Sequence, residues 1–346
     1  MTSAPEFTHR YLNLADERLG AKVYFATDDF FAPKERMILS TSPVFIPGKY
    51  DDNGKWMDGW ESRRKRTAGH DYALLSLEHA GRVYGVNIDT THFTGNNAPK
   101  ASIDACLSND PPDENTEWQA VLSPSKLKAD SNNYFPIQNN NSFNYFRLNI
   151  FPDGGVARLR LYGHVDKSPS KFDAAIPVDL IAAINGGRPI AASDEHYGIV
   201  ANLIAPGKGI NMGDGWETAR RRSGGHDWAI IALCHPGIVE KVQIDTAYFK
   251  GNYPEYADIK YLNLPQEESE RSLENHPNWR PLIDRADLSA DNVHDFLVPE
   301  KNQKKCTHLR LNIHPDGGIS RFRAIGYVQP KTSQPRFHSG RVPICF

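Results

Sequence analysis

The chain has 346 residues, enough for two domains of about 150 residues, and its apolar, aromatic and charged fractions are ordinary for a globular protein. A formal charge of −2 at pH 7 gives no reason to expect nucleic acid or an anionic membrane as a partner. No stretch approaches the roughly 18 apolar residues of a membrane helix, and the N-terminus lacks an apolar signal core, so we expect a cytoplasmic protein.

The four cysteines, Cys106, Cys234, Cys306 and Cys345, show neither a CxxC motif nor zinc-finger spacing. We interpret them as small buried apolar side chains in a reducing compartment. Gly and Pro are plentiful, which favours many short strands joined by turns.

One long segment of the sequence occurs twice. Residues 58–72 read DGWESRRKRTAGHDY and residues 214–228 read DGWETARRRSGGHDW, 156 positions apart. At the same spacing and without a gap, VNIDTTHFTGNN from Val86 matches VQIDTAYFKGNY from Val242. Further on, RLNIFPDGGVARLRLYG matches RLNIHPDGGISRFRAIG at a spacing of 163. A repeat unit of this length is a whole domain. We therefore predict two copies of one domain, at residues 11–166 and 188–329.

Near the start, Asp16-Glu17 with Gly20 matches Asp194-Glu195 with Gly198 at a spacing of 178. This alignment gives the first copy about 22 extra residues, around 30–55, and insertions often carry function. It also leaves the acidic pair of Asp28-Asp29-Phe30-Phe31 without a counterpart in residues 200–204. One copy would then be active and the other structural, or a single site would form where the copies meet.

Short strand-like segments alternate with turn signals through each copy. They are 72–77, 83–88, 147–150 and 156–162, with 228–233 and 239–244 as partners of the first two. The turn Pro152-Asp153-Gly154-Gly155 predicts a hairpin between the last pair, and we assign Asp153 no catalytic role. The pattern predicts an all-β fold, with one antiparallel jelly-roll sandwich per copy and no fixed strand order.

The joint between the copies spans residues 167–187. It begins polar, continues with the apolar run Val178 to Ile184, and stops at Asn185-Gly186-Gly187. This pattern predicts one short linker helix with a glycine stop.

Two rows of arginines recur in both copies. If residues 60–66 are extended, Trp60, Ser62, Arg64 and Arg66 share one face, and the second copy places Trp216, Thr218, Arg220 and Arg222 there. Arg63 on the opposite face becomes Ala219. The same alternation puts Arg158 with Arg160, and Arg321 with Arg323, opposite Leu159 and Phe322. The arginines either form a structural network with aromatic and acidic neighbours or grip a carboxylate or ureido oxygens.

Further candidates follow the arginines in both copies. Glu61 and Glu217 are partners for a nearby Arg or, alternatively, a general acid or base or a metal ligand. His70-Asp71 and His226-Asp227 suit an oriented base, a supported metal ligand or a strand-edge pair; adjacent residues of a strand face opposite ways, which disfavours a direct dyad. Asp89 and Asp245 stand where a strand ends, and with Asn96 and Asn252 they either close a turn or line a site.

Taken together, the repeated strings and Asp28 to Pro33 resemble allantoicase over nearly the whole chain. The resemblance implies two tandem galactose-binding-like jelly rolls and hydrolysis of allantoate to (S)-ureidoglycolate and urea in purine-derived nitrogen catabolism. A substrate with one carboxylate and two ureido groups calls for Arg and for Asp, Glu, Asn or His.

The resulting hypothesis is that Glu61, His70 and Asp71 either transfer protons or hold a divalent ion, with Glu217, His226 and Asp227 as their counterparts. Arg64, Arg66 and Asp89 would bind substrate, as would Arg220, Arg222 and Asp245. The sequence leaves open whether the site uses a divalent cation such as manganese, because it shows no dense cluster of ligand residues. We expect a homo-oligomer.

Two other classes remain. Jelly rolls also bind sugars or small ligands without chemistry, which predicts exposed loop aromatics and no dependence on Glu or His. An inactive relative kept as a scaffold is the third reading, although no motif gap favours it.

Overall fold

The computed structural model describes residues 4–222 and 224–329, and Cys345 lies outside them. The regular secondary structure of the described residues is almost entirely β-strand. Its one α-helix, α1, spans Phe7–Arg10. Short 3-10 turns occur at Glu17–Leu19, Lys34–Ile38, Pro169–Lys171, Ala183–Asn185, Val200–Ile204, Met212–Asp214, Leu273–Asn275 and Glu300–Asn302. No helix in the described part of the chain is long and apolar enough to cross a membrane.

The strands fall into two sets that follow the sequence repeat. In the first repeat they are β1 (Leu12–Asn13), β2 (Lys22–Ala26), β3 (Tyr50–Asp51), β4 (Gly54–Lys55), β5 (Trp60–Glu61), β6 (Asp71–Asp89), β7 (Lys100–Cys106), β8 (Gln119–Lys126), β9 (Asn132–Pro136), β10 (Ser142–Phe151), β11 (Gly155–Val156) and β12 (Arg158–Val165). In the second they are β13 (Val178–Asp179), β14 (Arg188–Ala192), β15 (Trp216–Glu217), β16 (Asp227–Asp245), β17 (Tyr256–Leu262), β18 (Arg280–Asp287), β19 (Val293–Leu297), β20 (Lys305–His314), β21 (Gly318–Ile319) and β22 (Arg321–Val328).

A single long strand, β6, belongs to both layers of the first sandwich. Its first part pairs with β2 and β10, and β10 continues through β7 to β8. Its second part pairs with β9 and β12, and β12 pairs with β1. All of these pairings are antiparallel. The two separate strands predicted at 72–77 and 83–88 are therefore the two halves of one strand.

The second repeat reproduces this topology, with β16 as the shared long strand. In each repeat one buried apolar cluster joins residues of both layers, as expected for a sandwich. In the first, Leu75 and Leu148 come from one layer and Ile88 and Leu161 from the other, and each is at most 1% exposed. The predicted fold class, two jelly-roll β-sandwiches in tandem, is confirmed.

The Pro152-Asp153-Gly154-Gly155 turn does not close the predicted hairpin. β10 and β12, which flank it, belong to different layers and do not pair with each other. The chain instead crosses between the layers at this turn, and β11 pairs with β5. Polar and glycine-rich composition marks a turn, but it does not distinguish a hairpin from a crossing between sheets.

The predicted linker helix does not form. Val178–Asp179 is the strand β13, which pairs with β22, and Ala183–Asn185 is one 3-10 turn that ends at Gly186 with a φ of +103°. Leu180 and Ile181 are fully buried in the core of the second sandwich. The apolar run is therefore part of that core, which explains its composition without a helix.

The prediction that Asp28-Asp29 lacks a counterpart is wrong. The indole of Trp60 donates to the carbonyl of Asp28, and the indole of Trp216 donates to the carbonyl of Asp194. The carboxylates of these two Asp residues accept backbone N–H groups of Arg63 and Ala219, which occupy matching positions. Asp194-Glu195 is therefore the counterpart of Asp28-Asp29. The alignment with Asp16-Glu17 was out of register because an Asp-Glu pair followed by glycine also occurs there.

The true length difference lies between the matching 3-10 turns Lys34–Ile38 and Val200–Ile204 and the matching strands β5 and β15. It amounts to about ten residues and includes the β3–β4 pair. Arg158 holds this segment through a buried ion pair with Asp58 at 2.8 Å and a bond to the carbonyl of Thr41. Arg160 binds the carbonyls of Leu39 and Thr41. Arg158 and Arg160 therefore belong to a structural network, which is the first of the two alternatives that the sequence left open for the arginines.

Candidate active site

Three loops of the first repeat meet beside β5. The backbone N–H of Ser62 donates to the carbonyl of Gly154 at 3.2 Å, which joins the loop after β5 to the turn between β10 and β11. Gly155 donates to the carbonyl of Asn96 at 2.7 Å and accepts from Ala98 at 3.0 Å, which brings in the loop between β6 and β7. Backbone bonds therefore fix all three loops against one another.

The glycines of the turn make this close approach possible. Gly154 has a φ of +127°, and a Cβ there would lie 2.7 Å from the backbone nitrogen of Ala98. Its counterpart Gly317 has a φ of +133° and an equally close neighbour. Only glycine adopts this conformation without strain and leaves the space free. The role of the turn is thus to hold the Asn96 loop beside β5.

The three loops enclose a pocket of about 480 Å³. Of the predicted site residues, Glu61 and Arg64 line it. The full lining is Phe31, Glu61, Ser62, Arg64, Lys65, Gly95, Asn96, Asn97, Pro99, Pro152, Asp153 and Gly154.

Glu61 carries the buried carboxyl of the pocket. It is 9% exposed, and the side-chain amide of Asn96 donates to its Oε1 at 2.8 Å. Burial raises the pKa of the Glu61 carboxyl; the Asn96 hydrogen bond and the charge of Lys55 oppose this change but do not cancel it. Glu61 forms no ion pair with any residue that the structure describes. A carboxyl in this setting retains a proton to higher pH than an exposed Glu, as general acid–base chemistry requires.

Arg64 is one of two cations in the pocket lining, and the other, Lys65, is paired with Asp71. The side chain of Arg64 is exposed, and its guanidinium has no hydrogen-bond or ion-pair partner within residues 4–222 and 224–329. Such a guanidinium can bind a planar anion through two parallel hydrogen bonds, which a lysine does less well.

The arginine row predicted for residues 60–66 does not form, because β5 ends at Glu61. Trp60 and Ser62 are buried, whereas Arg64 and Arg66 are exposed. Arg63 is held by an ion pair with Asp28 at 2.7 Å, outside the pocket lining.

Asp71 and His70 are absent from the pocket lining. Asp71 is 2% exposed and accepts from Lys65 Nζ at 2.7 Å and from Thr27 Oγ1 at 2.9 Å. His70 contacts Asn149 Oδ1 through Nε2 at 3.1 Å and packs against Phe151. The two neighbours therefore have separate partners, as the alternation of strand residues predicts.

Asp89 and Asp245 act locally in their turns. Oδ1 of Asp89 accepts the backbone N–H of Thr91 at 2.8 Å, and Asp245 does the same for Ala247 at 2.7 Å. Both are nearly buried, and Asp89 does not line the pocket. These contacts match the turn-closing alternative.

The second repeat contains the same Glu–Asn pair, but its carboxyl is more exposed. Asn252 donates to Oε1 of Glu217 at 2.5 Å, and Gly318 donates to the carbonyl of Asn252. Glu217 is only half-buried, and Tyr197, which matches Phe31, is 63% exposed. Arg220 and Arg222 are exposed, whereas Asp227 is buried against Arg221.

His226 differs from His70 in its surroundings. Its ring lies 4.7 Å from that of His314, and burial and the charge of His314 lower the pKa of His226. The ring of Tyr256 stacks on His314 from another direction.

A second cavity of about 500 Å³ lies between the two repeats, next to α1, β12 and β14. None of the predicted site residues lines it. The pocket at Glu61 is therefore the one that the sequence candidates identify.

A family profile described as the allantoicase repeat matches residues 12–166 and 178–329, which is most of the chain. The chain belongs to the allantoicase family. A probable allantoicase of Burkholderia pseudomallei is 48% identical over 325 residues, 94% of this chain and 97% of that protein. A probable allantoicase of Pseudomonas syringae pv. tomato is 50% identical over 320 residues, 92% and 97% of the two chains. The crystal structure of allantoicase from Saccharomyces cerevisiae superposes with a TM-score of 0.72 at 30% identity, covering 91% of this chain and 93% of that one.

Two residues that line this pocket, Asp153 and Lys65, are not among the residues that the sequence predicts for the site, and Asn96 is predicted there only as one of two alternatives. Comparison of the copies could have found them, since Asn252 and Asp316 are identical to Asn96 and Asp153, and a cation is kept at 65 and 221.

The pocket does not fit a divalent cation. It contains two carboxylates, Glu61 and Asp153, and Asp153 already binds the backbone N–H of Lys65 at 2.7 Å. Manganese or magnesium requires several oxygen or nitrogen ligands. In the part of the chain that the structure describes, no group of three or more His, Cys, Asp or Glu could hold a metal ion. We therefore derive no step through a metal.

Proposed function

We propose that this protein hydrolyses allantoate to (S)-ureidoglycolate and urea, as a hydrolase of C–N bonds in linear amidines. Membership of the allantoicase family over nearly the whole chain supports the reaction. The observation that supports the site is the buried carboxyl of Glu61 beside Asn96 and the unpartnered guanidinium of Arg64 in one pocket.

The polar groups of the pocket match those of allantoate. Its carboxylate pairs with the guanidinium of Arg64. A ureido group offers both donors and acceptors, which the amide of Asn97 and the carboxyl of Glu61 complement. The ring of Phe31 provides an apolar wall that limits access of water.

Glu61 is the proposed proton carrier. In the reaction, the C–N bond between the central carbon and one ureido nitrogen breaks, and the oxygen of water forms a new bond to that carbon. The leaving nitrogen gains one proton and the water loses one, so the protons balance. A protonated Glu61 can give its proton to the leaving nitrogen, and the resulting carboxylate can take one from the water. A raised pKa favours the first of these steps at neutral pH.

We propose Glu217 and Arg220 as the second-repeat counterparts of Glu61 and Arg64. Since Glu217 is more exposed, the first repeat is the stronger candidate for turnover. Catalytic roles for His70, Asp71, His226 and Asp227, and substrate binding by Arg66, Arg222, Asp89 and Asp245, stay predictions.

Urea release from allantoate by the purified protein tests the proposal. The assay is run with and without a chelator, and with added manganese, beside a Glu61→Gln control. Turnover that Glu61→Gln abolishes is the expected result. Absence of urea under all three conditions would overturn the proposal and leave a non-catalytic binding role ahead.

We further propose a cytoplasmic location and a homo-oligomeric state. Cys106, Cys234 and Cys306 are free thiols, which agrees with a reducing compartment. Sedimentation analysis of the purified protein measures its oligomeric state, and a monomer would contradict this expectation.

A further inference from the structure

We infer that an inward-facing ion pair positions the arginine that precedes its cation. In the first repeat Lys65 pairs with Asp71 and positions Arg64. In the second repeat Arg221 pairs with Asp227 and positions Arg220. Asp71 is then a positioning residue and not a proton carrier. The inference rests on the proposed function for its kinetic consequences, whereas its structural consequence can be measured without turnover.

Lys65 is fixed at both ends. Its ammonium lies 2.7 Å from Oδ1 of Asp71, and its backbone N–H donates to Oδ2 of Asp153 at 2.7 Å. Asp71 is itself held by the hydroxyl of Thr27 at 2.9 Å. A loop outside regular secondary structure, between β5 and β6, is thus held at its midpoint by two charged contacts.

The inward direction of Lys65 determines where its neighbours point. Arg64 and Arg66 are exposed, whereas Lys65 is partly buried with its head against Asp71. Arg64 thereby lines the pocket without any partner among the described residues. If Lys65 were released, the loop could turn, and the guanidinium of Arg64 would lose its fixed direction toward the pocket.

The second repeat contains the corresponding ion pair and supporting hydrogen bonds, with a different cation and a different hydroxyl residue. Arg221 contacts Oδ1 of Asp227 at 2.5 Å, and its backbone N–H donates to Asp316 at 2.8 Å. Ser193 takes the place of Thr27 as hydroxyl donor to Asp227, at 2.9 Å. The two repeats therefore share the buried Asp, while the cation changes from Lys65 to Arg221 and the hydroxyl residue from Thr27 to Ser193.

The carboxylate of Asp71 is committed to these contacts. It is 2% exposed and lies outside the pocket lining, so it does not reach a molecule bound there. Loss of the ion pair should therefore act on substrate affinity, through the geometry of Arg64, more than on the chemical step. In kinetic terms, KM rises and kcat changes less.

The test uses matched variants of the full-length protein. Lys65→Arg copies the cation of the second repeat, Lys65→Met removes the charge at similar length, and Lys241→Met removes a surface cation that pairs with Asp295 outside both sites. Arg221→Lys and Arg221→Met form the same pair in the second repeat. We expect Lys65→Met to raise KM by about tenfold or more with a smaller change in kcat, and Lys65→Arg and Lys241→Met to stay near the parent values.

A double variant, Lys65→Met with Asp71→Leu, guards against misfolding, because it leaves no buried charge unpaired. It should fold and still show the raised KM. If Lys65→Met, Arg221→Met and the double variant all leave KM unchanged, the inference is wrong. It is also wrong if Asp71→Asn lowers kcat by about 100-fold at unchanged KM, since that result would make Asp71 a catalytic residue.

Hydrogen–deuterium exchange separates this inference from the proposed function. Exchange in residues 62–70 should increase in Lys65→Met and return to the parent rate in Lys65→Arg. If the parent protein releases no urea, the proposed function fails, and exchange alone decides the positioning role. Unchanged exchange in Lys65→Met would contradict it.

Discussion

The side-chain amide of Asn96 donates a hydrogen bond of 2.8 Å to Oε1 of Glu61, and Asn252 makes the matching contact with Glu217. One carboxylate oxygen of each Glu is thereby fixed, and the carboxyl group is oriented by a neutral donor. The backbone bonds of Gly155 and Gly318 hold the two asparagines in place.

Glu61→Gln is expected to lower kcat by about 10²- to 10⁴-fold, the usual contribution of a general acid or base. Gln preserves the shape of the side chain and an oxygen that accepts from Asn96, so the pocket should remain intact. Glu217→Gln, made in parallel, should cost less, because Glu217 is more exposed. Steady-state urea release measures both, and equal losses would contradict a dominant first repeat.

Asn96→Ala should move the kinetic pH profile. The Asn96 hydrogen bond lowers the pKa of Glu61, partly opposing the effect of burial, so its removal raises that pKa further. The limb of the kcat profile governed by Glu61 should shift to higher pH. Asn252→Ala is the matched control in the second repeat, and a shift of the profile caused by Asn252→Ala but not by Asn96→Ala would contradict the assignment to the first repeat.

Arg64→Ala should raise KM by about 10- to 100-fold, since a charge-assisted pair with the substrate carboxylate is lost. Arg64→Lys should recover only part of this loss, because an ammonium lacks the planar fork. Arg63→Ala is the control: the second repeat already has Ala219 at that position, and the Arg63–Asp28 pair is solvent-exposed on the arginine side. KM values for allantoate that rank Arg63→Ala above Arg64→Ala would refute the assignment.

The stability of Glu61→Gln relative to the parent should depend on pH. Burial raises the folded-state pKa of Glu61 above its ordinary value of 4.5, so the native state binds the proton more tightly than the unfolded state. Its contribution to stability is present below that value and is lost as pH rises through the folded pKa. The Tm of Glu61→Gln should therefore exceed that of the parent at pH 7 and approach it toward pH 4. Thermal denaturation at several pH values measures the Tm difference between Glu61→Gln and the parent. A Tm difference that falls between pH 4 and pH 7, instead of rising, would contradict this prediction.

Asp58→Ala should lower the free energy of unfolding by about 3–5 kcal/mol, because it leaves the buried guanidinium of Arg158 without its carboxylate. The loss of the hydrogen bond from Val44 adds to the effect. Asp295→Ala, which breaks an exposed pair with Lys241, should cost less than about 1 kcal/mol. Urea denaturation of the three proteins gives the comparison, and similar costs for both variants would contradict it.

The repeat and the sandwich fold could be predicted from sequence because both copies retain long similar strings and strands of alternating polarity. The register near the N-terminus could not, since Asp16-Glu17 and Asp194-Glu195 share letters but not partners. The indole bonds of Trp60 and Trp216 settle that register, and they exist only in three dimensions. The apolar run Val178 to Ile184 failed as a helix for the same reason: its burial comes from a distant strand, β22.

The sequence predicts candidate site residues because both copies keep them, and the structure places Glu61 and Arg64 of these in the pocket lining. Asp71, which both copies also keep, lies outside that lining, whereas Lys65, which the sequence does not single out, belongs to it. A residue retained in both copies can therefore support the fold around a site or line the site itself. Only the direction of a side chain distinguishes a residue that lines the site from one that supports the fold. Sequence periodicity does not predict that direction after Glu61, because β5 ends there after two residues.

Arg18 connects the two repeats, and this contact runs in one direction only. Its guanidinium lies 3.1 Å from Asp214, which is three residues before Glu217 and also binds Arg321. At the position of Arg18 the second repeat has Ile184, so it sends no matching contact back to Asp58 of the first. The two copies are therefore no longer interchangeable: a chimera of two second repeats would have Ile at the position of Arg18 and would lose the cation that binds Asp214.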